Sequence, residues 1–155
     1  GYPVGLGLAV ETYLGRNPQV IFCPGSDQTV IADDELAKFG SEQVQTSYWY
    51  RHGSAAYPKD PVLNIRTSGE YENRLDEPLR AIVMDTNFIA TEQAASYNIY
   101  TRTHHNRERV NVLYLDSSIG SPSNESDQLT VNPGSSLEDG PDLMLDAFEV
   151  VDRLW

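Results

Sequence analysis

A second cysteine is missing from this chain of 155 residues: Cys23 stands alone. Its solitude excludes an internal disulfide and any cysteine-based zinc cage built from this chain alone, and leaves Cys23 to be read as a small buried hydrophobe rather than a reactive thiol. Basic side chains are scarce as well, 11 Lys and Arg against 23 Asp and Glu, for a formal net charge of -12. Such a surface repels phosphate backbones, and the densest basic stretch, residues 102–109, is short and contains Glu108; nucleic acid is therefore set aside as a partner. No run of about 18 apolar residues occurs, so no membrane span is read. Gly1-Tyr2-Pro3 offers neither the charged nor the apolar region of a signal peptide, and the start reads as a cut end. Internal repeats and sharp shifts of composition are lacking too, which favours one domain over two. What is present is enough to fold: with 39% hydrophobic and 10% aromatic residues, the chain is too rich in core formers for a disordered tail.

Along the chain, Leu6, Val10, Tyr13 and Leu14 recur at helical spacing until Gly15 and Asn17-Pro18 supply a stop. Residues 19–23 form a compact β-favouring run closed by Pro24-Gly25, read as a short strand. Asp33-Asp34 before residues 35–39 and Gly40 after them mark a minor helix. Alternation over residues 44–51 predicts a half-buried strand with Trp49 on the face opposite Tyr48 and Tyr50. Residues 53–78 are rich in Pro, Gly and charge and read as an excursion, with a turn of helix near residues 70–75. The most apolar segments, 79–84 and 110–115, are expected as central strands covered on both faces. Residues 116–140 read as a long surface loop in which residues 128–131 alone resemble a strand. From Gly140-Pro141 a helix is expected with Met144, Ala147, Phe148, Val151, Leu154 and Trp155 as its apolar stripe.

Three segments, in order, resemble the prepilin-type proteins whose processing-associated head domain is named for a His, nine intervening residues, then Asp-Gly. Tyr13-Leu14-Gly15 through Phe22-Cys23-Pro24-Gly25-Ser26-Asp27 is similar to that family's short helix leading into Phe-x-Cys-Pro-Ser-Asp, with Gly25 inserted. Ser47-Tyr48-Trp49-Tyr50-Arg51 is similar to the aromatic strand that follows. His105-Asn106-Arg107-Glu108-Arg109-Val110-Asn111-Val112-Leu113-Tyr114-Leu115-Asp116 resembles the namesake motif itself. Ten residues, not nine, separate His105 from Asp116, and Ser117 replaces the glycine, which counts against a tight turn after Asp116 because serine tolerates positive φ poorly. His105, Asn111, Asp116, Cys23 and Pro24 are the motif residues.

The resemblance implies an α+β, pseudopilin-like head: an antiparallel sheet packed against an N-terminal helix remnant and a C-terminal helix. It further implies a preceding apolar helix that anchors the protein in the inner membrane, with the head on the periplasmic or cell-surface side. The implied role is a non-catalytic subunit of a type II secretion pseudopilus or type IV pilus-like filament, whose partners are other pseudopilins and inner-membrane secretion components. The truncated head is expected to be monomeric, and a cysteine in the missing segment is the implied partner for Cys23.

Asp85 and Asp116 end the two central strands and His104-His105 precede one, so these four could converge on a metal. Regular structure aims adjacent histidines apart and no HExxH spacing occurs, so the plainer reading makes His105 a turn cap and Asp116 an acceptor of backbone N–H groups. A nucleophile is not evident: G-x-S-x-G is missing, and Cys23 is read as lying in a Pro-Gly turn without a nearby histidine. No cofactor is therefore assigned, save calcium, for which Asp116, Asn124 and Asp127 are the candidate ligands in a loop that matches no EF-hand; major pseudopilins bind calcium in a late loop. Asn124-Glu125-Ser126 fits a glycosylation acceptor but reads as a loop tripeptide. Two rivals follow: a calcium- or carbohydrate-binding module with Trp49, Tyr48, Tyr50, Tyr57 and Tyr71 as an aromatic platform, and a metal-dependent hydrolase with Asp85, His105 and Asp116 about one point.

Overall fold

In a computed structural model of the chain, the structure describes Val10 and residues 15–25, 27, 31–42, 44–51 and 72–155. Four strands, β1 (Tyr48–Tyr50), β2 (Ala81–Asp85), β3 (Val112–Tyr114) and β4 (Ile119–Gly120), form an antiparallel sheet in the order β1-β2-β3-β4. The fold is a mixed α+β one, as expected. Helices α1 (Ala32–Lys38), α2 (Glu92–Ser96) and α3 (Gly140–Leu154) accompany the sheet.

Pairing Trp49 with Met84 and Met84 with Val112 puts these three in one row across the sheet, and the next row is Tyr48 beside Asp85. Because neighbouring rows face opposite ways, Trp49, Met84 and Val112 turn toward α3. There Met84, Val110, Val112, Tyr114 and Leu129 pack with Ala147, Phe148 and Val151 in the main core. The other face holds Tyr50, Val83 and Leu113, all half-buried. Pro141 sits in the first turn of α3, where its missing N–H costs nothing. Of the expected stripe, Ala147, Phe148 and Val151 are buried, whereas Leu154 is exposed; Trp155 reaches back to lay its ring 4.4 Å from that of Tyr114.

Both central strands are shorter than residues 79–84 and 110–115, and the reason lies in competing acceptors. Arg80 and Ala81 both donate their N–H groups to Asp152 Oδ1 of α3, at 2.9 Å each, so the strand begins only at Ala81 and shifts register before Val83. Val110 gives its N–H to Pro122. Residues 44–47 also leave the expected strand: the Gln45 side chain bonds Asn98 and Tyr100, and Thr46 Oγ1 turns onto the Tyr48 carbonyl.

Residues 19–23 are not a strand. Pro18–Ile21 is a 3-10 turn whose Gln19 N–H is capped by Asn17 Oδ1 at 3.1 Å, and the fixed φ of Pro18 outweighs the β preference of Val20 and Ile21. Residues 128–131 are likewise no strand; Glu125–Asp127 is a 3-10 turn, and Val131 makes an isolated bridge to Phe88. Nor is residues 116–140 wholly a surface loop: Asn124, Leu129 and Val131 are buried, and Asn124 Oδ1 accepts the Leu129 N–H at 2.6 Å. Helix α2, unforeseen, starts on a Thr91 hydroxyl cap and ends at Asn98, whose φ of 57° suits a helix stop.

The minor helix is present as α1, with Asp33, Asp34 and Glu35 in its first turn. At the N-terminus Val10 is helical and buried, and the Arg16 N–H returns to its carbonyl at 3.1 Å past Gly15 at φ 62°, the stop expected there. Leu6, Tyr13, Leu14, Tyr57 and Tyr71 lie outside the described residues. In place of a helical turn at residues 70–75, its described part closes on Asn73, whose Oδ1 accepts the N–H groups of Leu75 and Glu77.

Candidate functional site

Strand β2 ends on a carboxylate that no solvent reaches: Asp85 is 0% exposed. Its N–H donates to the Asn111 carbonyl at 3.0 Å, and the Asn111 N–H returns to Asp85 Oδ2 at 2.8 Å, so the ladder itself folds the side chain onto the neighbouring strand. Tyr48 lies across from Asp85 on β1.

His105 arrives from a turn with unusual backbone. His105, Asn106 and Arg107 have φ of 52°, 52° and 62°, three consecutive left-handed residues with side chains, each costing about 1–2 kcal/mol. Surrounding bonds hold the turn: the Arg107 N–H to the His104 carbonyl at 2.9 Å, and Asn124 Nδ2 to the Arg107 carbonyl at 2.8 Å. Strain maintained in this way is characteristic of functional positions. Cys23 comes from the loop beyond the first 3-10 turn, which Thr103 pins by accepting the Asp27 N–H on its carbonyl and donating its hydroxyl to Asp27 Oδ2. Gly25 permits the approach, because a Cβ there would stand 3.2 Å from His105 Cε1.

Three polar groups meet at one nitrogen. His105 Nε2 is 3.2 Å from Asp85 Oδ2, 3.9 Å from Cys23 Sγ and 2.9 Å from Asn111 Nδ2. The thiol, carboxylate and imidazole ligand atoms all lie within 4.8 Å of one another, the one such group of three among the described residues. Negative charge is disfavoured throughout. Burial raises the Asp85 carboxyl against the lowering effect of the Asn111 N–H, burial raises the Cys23 thiol, and burial with Cys23 and Asp85 nearby pushes the Tyr48 phenol up to about 12.

Nucleophilic catalysis does not suit this arrangement. A triad needs the nucleophile on one ring nitrogen and the orienting acid on the other, with the nucleophile's pKa lowered. Here Cys23 and Asp85 share Nε2, and the thiol is pushed up.

Of the motif residues, His105, Asn111 and Cys23 come together, with Pro24 in the same turn as Gly25; Asp116 does not join them. It lies five residues past Asn111 at the other end of β3, about 16 Å away at strand rise, where its Oδ1 accepts the Ser118 N–H at 2.9 Å. That turn role matches the sequence reading. The hydrolase grouping of Asp85, His105 and Asp116 is thereby corrected, with Cys23 taking the third place. The expectation that Cys23 lacks a nearby histidine fails for the same reason: the two are 82 positions apart in the chain, a pairing only the fold creates. His104 points elsewhere, fully buried, with both ring nitrogens unpartnered among the described residues and its pKa lowered to about 4 by burial.

Among the calcium candidates, Asn124 spends its side chain on Leu129, Arg107 and Thr130, and Asp127 faces Thr130 and Arg107. The aromatic platform is divided, since Trp49 packs into the core on the face opposite Tyr48 and Tyr50. Asp85 and His105 carried the usable sequence signals, a carboxylate closing one apolar strand and a histidine preceding the other.

Comparison with known protein families, curated proteins and solved structures finds no match.

Proposed function

We propose that this chain is the head of a prepilin-type filament subunit, a structural component of a type II secretion pseudopilus or related pilus-like assembly, anchored in the inner membrane by a preceding apolar helix and carried on the periplasmic or cell-surface side. One observation supports the reading above the rest: the segment running from His105 to Asp116 contains strand β3, Val112–Tyr114, paired on both edges, and is framed by two polar bends, each with left-handed backbone. Ser117 sits at φ 69°, at the position where the resembled motif has glycine. The packing of α3 on an antiparallel sheet agrees with it. A non-catalytic role fits the raised thiol and the shared imidazole nitrogen described above, and a net charge of -12 fits protein partners, other pseudopilins and inner-membrane secretion components, better than nucleic acid.

The full-length gene product tests this. Expressed with a prepilin peptidase, it should lose a short basic leader, seen as a mass decrease, and fractionate with the inner membrane. A full-length product that stays unprocessed and fractionates as a free globular protein refutes the reading.

A further inference from the structure

We propose that Cys23 Sγ, Asp85 Oδ2 and His105 Nε2 form a binding site for a divalent transition-metal ion of the zinc class. The site goes beyond the filament reading and does not depend on it.

The spacing carries the proposal. Around a tetrahedral zinc, usual bond lengths set sulfur and nitrogen ligands about 3.6 Å apart, and nitrogen and oxygen ligands about 3.3 Å apart. The corresponding distances here are 3.9 Å and 3.2 Å. Inward movement of a few tenths of an ångström closes these two separations, and the sulfur and the carboxylate oxygen, within 4.8 Å of each other, close further toward the separation of about 3.6 Å in a tetrahedral site. Donor chemistry narrows the ion: thiolate with imidazole disfavours calcium and magnesium, and a mixed sulfur, nitrogen and oxygen set suits zinc.

Hydrogen bonding at Nε2 cannot satisfy all of its neighbours at once. Nε2 carries either one proton or one lone pair, yet a carboxylate oxygen, a thiol and an amide all face it. A single proton satisfies one of them; an ion at the common centre accepts lone pairs from the imidazole, the thiolate and the carboxylate together. Asp85 adds a second, independent sign. It is wholly buried, and among the described residues its Oδ1 has no hydrogen-bond partner and the ring of His105 is the one ionisable nitrogen within salt-bridge distance of its carboxylate. The His105 side chain is 30% exposed while Asp85 is 0% exposed, so the site opens to solvent on the imidazole side. Three protein ligands leave a fourth position for water or for the Asn111 amide oxygen, should that amide turn over.

Cobalt(II) and zinc titrations of the 155-residue chain under reducing conditions test the site. The expected result is one cobalt per chain with a thiolate-to-metal charge-transfer band, displaced by zinc, saturating below about 100 μM. Cys23→Ser should abolish the band, and His105→Gln should weaken zinc binding by more than the factor of about ten to a hundred that loss of an outer-shell partner costs. Glu42→Gln, on the exposed surface, should leave both unchanged. Lack of saturation below that concentration, or a bound cobalt without the thiolate band, overturns the proposal. The unaltered chain gives both readouts, so poor folding of a variant cannot hide the answer, and neither result bears on leader processing.

Discussion

Strand β2 has a buried aspartate at each end, and the two are handled in opposite ways. At its start, Asp152 reaches from α3 and receives four donors: Arg80 and Ala81 N–H groups on Oδ1, and Arg51 Nη1 at 2.8 Å and Asn73 Nδ2 at 3.2 Å on Oδ2. Arg51 is as buried as its partner and lies over the Phe148 ring, 5.3 Å from its centroid. At its end, Asp85 receives the Asn111 N–H and the imidazole on Oδ2, and nothing described on Oδ1. A buried carboxylate with every lone pair engaged specifies how helix and sheet dock. One half-engaged beside a thiol and an imidazole is a poorly compensated group, which the proposed metal ion would neutralise.

The largest effect expected from this contrast is at Asp152. Asp152→Ala strands Arg51 in the core and frees two strand N–H groups, and should cost about 3–5 kcal/mol in denaturant unfolding. A loss under 1 kcal/mol would mean that the helix docks by its apolar stripe alone. Next comes the response to metal. If the Asp85 end holds zinc, a zinc concentration 100 times the dissociation constant should stabilise the chain by about 2.7 kcal/mol. That corresponds to about 5–10 °C in Tm at this size. Cys23→Ser should show no rise, and an equal rise in that variant would erase the distinction between the two ends. Smaller still is Asp85→Asn without metal. Because the substitution removes a poorly compensated charge and keeps an acceptor for the Asn111 N–H, it should change stability by no more than about 1 kcal/mol. A cost as large as that of Asp152→Ala would make both aspartates structural.

Sequence alone made some of these elements readable and hid others, for physical reasons. Helix α3 was legible because Pro141 and the spacing of Ala147, Phe148 and Val151 are local signals, and β2 and β3 because their apolar runs are continuous. Residues 19–23 misled because Asn17 and Pro18 act on the backbone more strongly than Val20 and Ile21 favour a strand. Asp152 was invisible as a cap on β2, since nothing in a helical stripe announces a charge that faces inward. The site was half legible. Asp85 and His105 could be paired by the ends of predicted strands, whereas Cys23 joins them through tertiary contacts, among them the Thr103 and Asp27 bonds and the space that Gly25 leaves.

Left-handed backbone sharpens the same division between what folds the chain and what serves a site. Residues 115–117 close the hairpin between β3 and β4: the Tyr114 N–H bonds the Ser118 carbonyl, the Ser117 N–H bonds the Tyr114 carbonyl, and Ser117 takes φ 69°. A three-residue hairpin of this kind favours glycine at its last position. Ser117→Gly should therefore relieve backbone strain at a position where the described residues assign the side chain no further task, stabilising the chain by about 0.5 kcal/mol after glycine's larger entropy in the unfolded state is counted. His105 has the same φ sign and a deeper strain, shared with Asn106 and Arg107. His105→Gly should gain on the backbone in the same way yet lose the metal-dependent rise in Tm. If the two glycine variants behave alike in the presence of zinc, the bend at residues 105–107 is hairpin geometry and nothing more; if they part, its strain is maintained for the imidazole.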